Sequence, residues 1–213
     1  MMLGYDTLDY YNKNAQEYCN QTISVDFDFI YQKVLPLLPR NAYILDFGCG
    51  SGRDSKKFLD LGYYVKAIDG SIEMCKLATK YLGREVICMD FLDFHDVDTY
   101  DCIWACSSIL HIEDECLFTI LNQMIDALKV GGIIYTSFKV GTGYMIKEGK
   151  YYNFLTKKKM MGLLEKTGKK VKLIDYFENS PIARRTPNSN ETWGNYITVS
   201  YTHLRAHETR SNL

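Results

Sequence analysis

The chain has 213 residues, 46% hydrophobic and 24% charged, with a formal net charge of -1. That balance excludes a disordered chain, a collagen and a coiled coil, and a chain this long can build a core without disulfides or metal. No global basic field favours nucleic acid, and no apolar run approaches the roughly 18 residues that span a bilayer.

The stripe Leu8, Tyr11, Ala15 and Tyr18 has helical spacing and predicts a helix over residues 7–20. A second helix is expected over 26–38, closed by Pro36 and Pro39. The apolar run 42–47 reads as a strand ending in a glycine-rich turn, followed by a helix over 53–61. A strand at 63–68, a helix at 71–82 capped by Ser71, and strands at 85–89 and 100–106 come next. Residues 113–128 form a helix with Leu117, Ile120, Leu121, Met124, Ile125 and Leu128 on one face. Gly131 and Gly132 turn into a strand over 133–138. A loop rich in Gly and Tyr follows, then a helix at 156–167, a strand at 171–177 and a closing hairpin around 193–198. Strands alternate with helices and are near-continuous apolar runs, so the fold expected is α/β, a doubly wound and mostly parallel sheet with helices on both faces.

The seven cysteines are odd in number and form no CxxC pair. They read as reduced thiols in a cytoplasm, and no Cys and His cluster has metal-ligand spacing, so no metal is expected. The starting residues lack the basic and apolar regions of a secretory signal. The string VSYTHLRAHET from Val199 resembles the translation of a sequencing-library adapter. Residues 199–213 are therefore expected to be a non-native read-through tail outside the packed domain, and His203 and His207 receive no role.

The chemistry concentrates at Asp46-Phe47-Gly48-Cys49-Gly50-Ser51-Gly52, where the first strand passes into a helix. Open parallel sheets bind ligands there, and the glycines let a ligand approach the backbone. Position 53 is Arg where a dinucleotide fingerprint has its third glycine, and the lysine of a phosphate-binding P-loop is missing. Asp46 would repel a pyrophosphate but suits a ligand carrying both an ammonium and a carboxylate. Asp69 ends the second strand, placed to chelate ribose hydroxyls. Asp90 ends the third, placed to accept from an adenine amino group. Singly, each acid is more often a loop or capping residue. Three of them at successive strand ends, all on one sheet edge, are much harder to dismiss as that.

The runs ILDFGCGSGRDS, AIDGS, CMDFLDF, YDCIWACSSILHI and ALKVGGIIYTSFKVG resemble those of class I S-adenosylmethionine-dependent methyltransferases. The helix YYNKNAQEY and the SFKVG strand end resemble a bacterial small-molecule branch close to the tellurite-resistance methyltransferases. The resemblance implies a Rossmann-like, seven-stranded sheet with an N-terminal helical lid. It also implies a methyltransferase domain over 1–198, divided into a lid (1–40), a cofactor-binding core (41–140) and a substrate-side part (141–198). S-adenosylmethionine would be the cofactor and S-adenosylhomocysteine its product. Gly48, Cys49, Gly50 and Gly52 would line the methionine moiety and Asp46 its amino end. Asp69, Gly70 and Ser71 would hold the ribose, and Asp90 and Phe91 the adenine. Cys106 and Ser107 would face the methyl group. At the chain's end, Arg184 or Arg185, Trp193 and Asn195 keep part of the family's pattern, but its DVRP segment is altered, which weakens an acceptor role there.

His111, just past the fourth strand, is a candidate general base, or else a loop histidine bonded to backbone. Tyr10, Tyr11 and Tyr18 are candidates for an aromatic lid over the sulfonium, or for ordinary helix packing. Lys139 could pair with an anionic acceptor or be a solvated strand-end charge. Lys157, Lys158 and Lys159, with Lys169 and Lys170, read as a solvated face rather than a nucleic-acid patch. The expected partner is a small-molecule methyl acceptor, with no nucleic acid or membrane, on a monomer or weak homodimer. The competing readings are a module that binds the cofactor without catalysis, and a protein or RNA methyltransferase. Ala105-Cys106-Ser107-Ser108 replaces the Asn/Asp-Pro-Pro-Tyr motif of base and amino-group methylases.

Overall fold

Neighbouring residues on the central strands sort to opposite faces of one sheet, and each face carries its own core. Strands β1 (Tyr43–Phe47), β4 (Tyr100–Ala105) and β5 (Leu128–Lys139) turn Leu45, Ile103 and Ile134 to one side. They turn Ile44, Cys102 and Ile133 to the other, as the two-residue period of a strand requires. The computed structural model describes residues 6–169, 171–182 and 191–201. On the first side pack α5 (Asp114–Ala127) and α6 (Lys157–Lys166), through Leu117, Leu121, Met124 and Leu164. On the second pack α2 (Asp28–Val34) and α3 (Arg53–Asp60), through Ile30, Val34 and Phe58 around the buried Trp104.

The seven strands run in the order β3-β2-β1-β4-β5-β9-β8, with β2 at Tyr64–Asp69, β3 at Ile87–Cys88, β8 at Val171–Asn179 and β9 at Trp193–Ser200. Strands β1 to β5 pair in parallel, while β9 is antiparallel to both β5 and β8. The sheet is thus the expected Rossmann-like, mostly parallel one. Chain order reverses between β1 and β4, so the crevice past their carboxyl ends is the ligand position of such a sheet.

Helix α1 (Thr7–Thr22) starts where Asp6 accepts the Asp9 N–H at 2.8 Å. Its Ala15 and Cys19 pack on Met74 of α4 (Ile72–Leu82), which lays α1 across that crevice. Ser71 caps α4 by accepting the Met74 N–H, and its hydroxyl donates to Asn12 of α1 at 2.7 Å.

Several boundaries differ from the sequence-based expectation. The second helix stops at Val34 and gives way to a 3-10 turn at Leu35–Leu37, because Pro36 cannot continue an α-helical ladder. The fifth strand starts at Leu128 rather than 133, and runs through Gly131 in a left-handed conformation (φ 83°). The expected Gly- and Tyr-rich loop holds a hairpin, β6 (Tyr144–Lys147) and β7 (Lys150–Asn153). Strand β9 continues past the junction expected at 198. Val199 pairs with Ile133 and Lys172, Ser200 pairs with Val171, and the Ser200 hydroxyl donates to the Lys129 carbonyl at 2.6 Å. These two residues extend a ladder with neighbours on both sides, so the sheet runs two residues past the boundary expected at 198. Residues 202–213, with the rest of that string, lie outside the described residues.

Candidate active site

A cavity opens at the ends of β1, β2 and β4 under α1. Its floor is the turn Gly48–Ser51, its roof Leu8, Tyr11, Tyr18 and Thr22, and its walls include Asp69, Gly70, Asp90, Phe91, Cys106 and Ser107. Gly48 has φ 85°, and a Cβ there would lie 2.4 Å from the Ser108 Cβ. Only glycine fits.

Asp69 is fixed before any ligand arrives. The Gly50 N–H donates to its Oδ2 at 2.8 Å and the Ser71 N–H to its Oδ1 at 2.9 Å. Burial raises its pKa, and the two backbone donors work against that. Each oxygen keeps a lone pair for a hydroxyl donor. Asp90 accepts the Leu92 N–H at 2.9 Å, capping the 3-10 turn that carries Phe91. Phe91 stacks on the buried Phe47 at 4.3 Å between centroids, which holds its ring as a flat apolar wall. Burial pushes the Cys106 thiol up to about 12, so it is no thiolate. Ser107 adopts φ 54°, and its N–H donates to Ser137 Oγ at 2.9 Å.

Three expected cofactor residues lie elsewhere. Asp46 is 2% exposed and does not wall the cavity. Its Oδ2 accepts the Ser55 N–H at 3.1 Å and the Ser55 hydroxyl at 2.6 Å, so it braces the start of α3 from beneath. Burial, then the neighbouring Asp54, push its pKa up. Gly52 faces Leu82 and Ala78 of α4, a packing position. Ser71 is fully buried as a helix cap.

Sequence reading missed Arg53, registering it only as a missing glycine. Its guanidinium grips Asp54 in a fork at 2.6 and 2.9 Å and covers the Phe27 ring at 3.8 Å. Asp54 also accepts from Tyr31 Oη at 2.5 Å and Trp104 Nε1 at 2.8 Å. Despite burial, Arg53 and these donors hold Asp54 below the usual carboxylate range.

A second cavity of about 540 Å³ abuts the first. Tyr11, Tyr18, Thr22, Arg53, Cys106, Ser107 and His111 wall both. Lys139 lies in the second, paired with Glu191 at 2.7 Å, as do Lys150, Tyr152 and Trp193. His111 stands at the junction. Its Nδ1 is 2.6 Å from the Tyr151 carbonyl, which can only accept, so the proton sits on Nδ1 and Tyr11 Oη donates to Nε2 at 2.9 Å. Burial, then Lys150 and Lys139, push its pKa down to about 4, against the opposing Tyr151 bond. Arg184 and Arg185 lie outside the described residues.

A flat apolar wall, two carboxylates at adjacent strand ends and an open glycine floor suit an adenosine joined to an amino acid. Residues 44–132 match the methyltransferase domain family. The chain carries a class I, S-adenosylmethionine-dependent methyltransferase domain, with the Rossmann-like fold of that class. Over 102 residues it is 34% identical to N-terminal Xaa-Pro-Lys N-methyltransferase 1 of Xenopus tropicalis, covering 44% of this chain and 46% of that one. The chain spans between 45% and 63% of the length of the curated relatives it matches. Among solved structures it resembles 1,6-didemethyltoxoflavin-N1-methyltransferase of Burkholderia thailandensis, a structure with bound 1,6-didemethyltoxoflavin and S-adenosylhomocysteine. The TM-score is 0.70 at 18% identity, over 91% of this chain and 85% of that one. A TehB-like methyltransferase of Corynebacterium glutamicum matches with TM-score 0.68 at 16% identity, over 90% and 98%. Identities this low speak for the fold alone.

Proposed function

We propose that the chain transfers the methyl group of S-adenosylmethionine to a polar small molecule held in the second cavity. The observation that carries this reading is the shared wall, because a methyl group moving in line must cross where the two cavities meet. When bound, S-adenosylmethionine supplies an electrophilic methyl carbon on a sulfonium that leaves as a neutral thioether. In this reading Asp69 takes the ribose hydroxyls, Asp90 and Phe91 the adenine, and the Gly48–Ser51 turn the amino-acid end. Alignment and exclusion of water are the protein's main contributions, and α1 supplies the roof. His111, neutral and with weak proton affinity, orients the Tyr11 hydroxyl at the crossing rather than serving as a strong base.

The second cavity has the size of small-molecule sites, which run from about 300 to 1,000 Å³. The likeness to an N-terminal Xaa-Pro-Lys N-methyltransferase supplies a second reading, in which the acceptor is a peptide amino terminus. Among the described residues no helix is long and apolar enough to cross a membrane. The seven free cysteines support the cytoplasm as the place of action. Incubation with methyl-labelled S-adenosylmethionine and a metabolite extract tests the function. Label is expected in the small-molecule fraction; label entering only the protein or RNA fraction would refute a small-molecule acceptor.

A further inference from the structure

The second cavity is ordered by charge. Lys139, at the end of β5, is 7% exposed, and Lys150, at the start of β7, is 3% exposed. Both ammonium groups lie by the Tyr152 ring, at 4.5 and 5.8 Å from its centroid, and Lys150 also covers the Tyr10 ring at 3.6 Å. Their carboxylate partners sit further out. Glu191, 33% exposed, reaches Lys139 at 2.7 Å, and Glu148, 57% exposed, reaches Lys150 at 3.4 Å. Of the lysines and carboxylates that wall this cavity, Lys139 and Lys150 are the buried ones, while Glu17, Lys147 and Glu148 are exposed and Glu191 is partly buried.

Burying two ammonium groups costs desolvation that only negative charge or aromatic faces offset. Glu148, exposed, and Glu191, one-third exposed, can turn to water when another anion takes their place, whereas the lysines are fixed among the rings. The Glu191 oxygen marks a position where an anionic oxygen already fits against Lys139. An ammonium-bearing acceptor would compete for the Tyr10 and Tyr152 faces that lysine already covers.

We infer that the acceptor carries a carboxylate or phosphate group, which seats against Lys139 and Lys150 beside Tyr152 in exchange for Glu191 and Glu148. The inference rests on the second cavity being the acceptor site. With the anionic group anchored there, the remainder of the acceptor extends toward Tyr11 and His111, where the methyl group arrives. His111 meets Tyr152 at 4.9 Å between ring centroids, so the anchor and the crossing are adjacent. Lys150 and Tyr152 escaped sequence reading because their hairpin looked like a loop.

Binding of matched probes by calorimetry, to the protein saturated with S-adenosylhomocysteine, is the test. The pairs are 4-hydroxybenzoate with 4-hydroxybenzamide, indole-3-acetate with indole-3-acetamide, and phenyl phosphate with phenol, with tyramine as the cationic probe. The anionic member of at least one pair is expected to bind about tenfold or more tightly than its neutral partner, the size of one or two charge-assisted hydrogen bonds. Which pair shows the larger ratio separates carboxylate from phosphate. Lys139→Gln and Lys150→Gln should each reduce that ratio toward one with S-adenosylhomocysteine affinity unchanged, and Glu191→Gln should raise anion affinity. Equal binding within every pair, no binding by any probe, tighter binding of tyramine, or a preference that survives both lysine variants would overturn the inference. Because the readout is binding, an anion preference found together with no label entering the small-molecule fraction of a metabolite extract would refute the proposed function and leave the anion seat standing.

Discussion

Tyr11 and His111, 100 positions apart in the chain, meet at 2.9 Å between Oη and Nε2 where the two cavities join. The contact ties the roof helix α1 to the loop after β4. In the neutral ring it also fixes the tautomer, since the Nδ1 proton is committed to the Tyr151 carbonyl at 2.6 Å. The β6–β7 hairpin completes the clasp, with the Asp6 N–H donating to the Gly149 carbonyl at 3.1 Å and the Tyr151 N–H donating to Thr7 Oγ1 at 3.1 Å.

The histidine gives a pH signature. Its unfolded pKa is about 6.5, and its folded value is pushed down to about 4. Between those values the unfolded chain holds the extra proton. The contribution to stability is therefore full above pH 6.5 and is lost as pH falls toward 4. Denaturant titrations between pH 4.5 and 7.5 should show a drop in stability on the acid side that His111→Gln reduces. An identical slope in the variant would refute the neutral, buried histidine. The companion change Tyr11→Phe removes one hydrogen bond and should cost about 1 kcal/mol of stability.

Gly48 is the most restrictive backbone position in the site. Gly48→Ala combines a left-handed φ of 85° with a clash at 2.4 Å against Ser108. A loss of about 1 to 3 kcal/mol of folding stability is expected from backbone strain alone. S-adenosylhomocysteine affinity should fall as well, because the added methyl stands in the cavity floor. Chemical denaturation and calorimetry on the same sample would check both.

Strand β9 runs to Ser200, two residues past the expected boundary. Truncation after Thr198 removes the pairings of Val199 with Ile133 and Lys172, and the Ser200 hydrogen bond to Lys129. Each lost hydrogen bond costs about 1 kcal/mol, so Tm should fall by several degrees. Truncation after Tyr201 keeps those pairings and should leave Tm and cofactor affinity nearly unchanged. Equal behaviour of the two truncations would show that the strand end contributes nothing.

The parallel core was legible in the sequence because its signals are local. Residues 43–47 and 100–105 are apolar runs buried on both faces, and the turn between β1 and α3 announces itself by glycine. Asp69 and Asp90 stand where strand ends and spacing put them. The roles of Asp46, Gly52 and Ser71 were not legible: all three flank the cavity in sequence, but their side chains or Cβ positions face the packing beneath it. Arg53, Lys150 and Tyr152 carry no local signal. Arg53 enters the wall through its fork with Asp54, and Lys150 through aromatic rings 140 residues away on α1, contacts that only the folded chain brings together.

The central claim is that the crevice between β1 and β4 holds S-adenosylmethionine through Asp69. Calorimetric titration with S-adenosylhomocysteine, NAD and ATP, on the native chain and on Asp69→Ala, tests it most directly. The native protein should bind S-adenosylhomocysteine one to one and neither NAD nor ATP at concentrations that saturate it. The folded variant should lose about 2 kcal/mol of that affinity with two charge-assisted hydrogen bonds. Comparable binding of NAD, or unchanged S-adenosylhomocysteine affinity in a folded Asp69→Ala protein, would contradict the account.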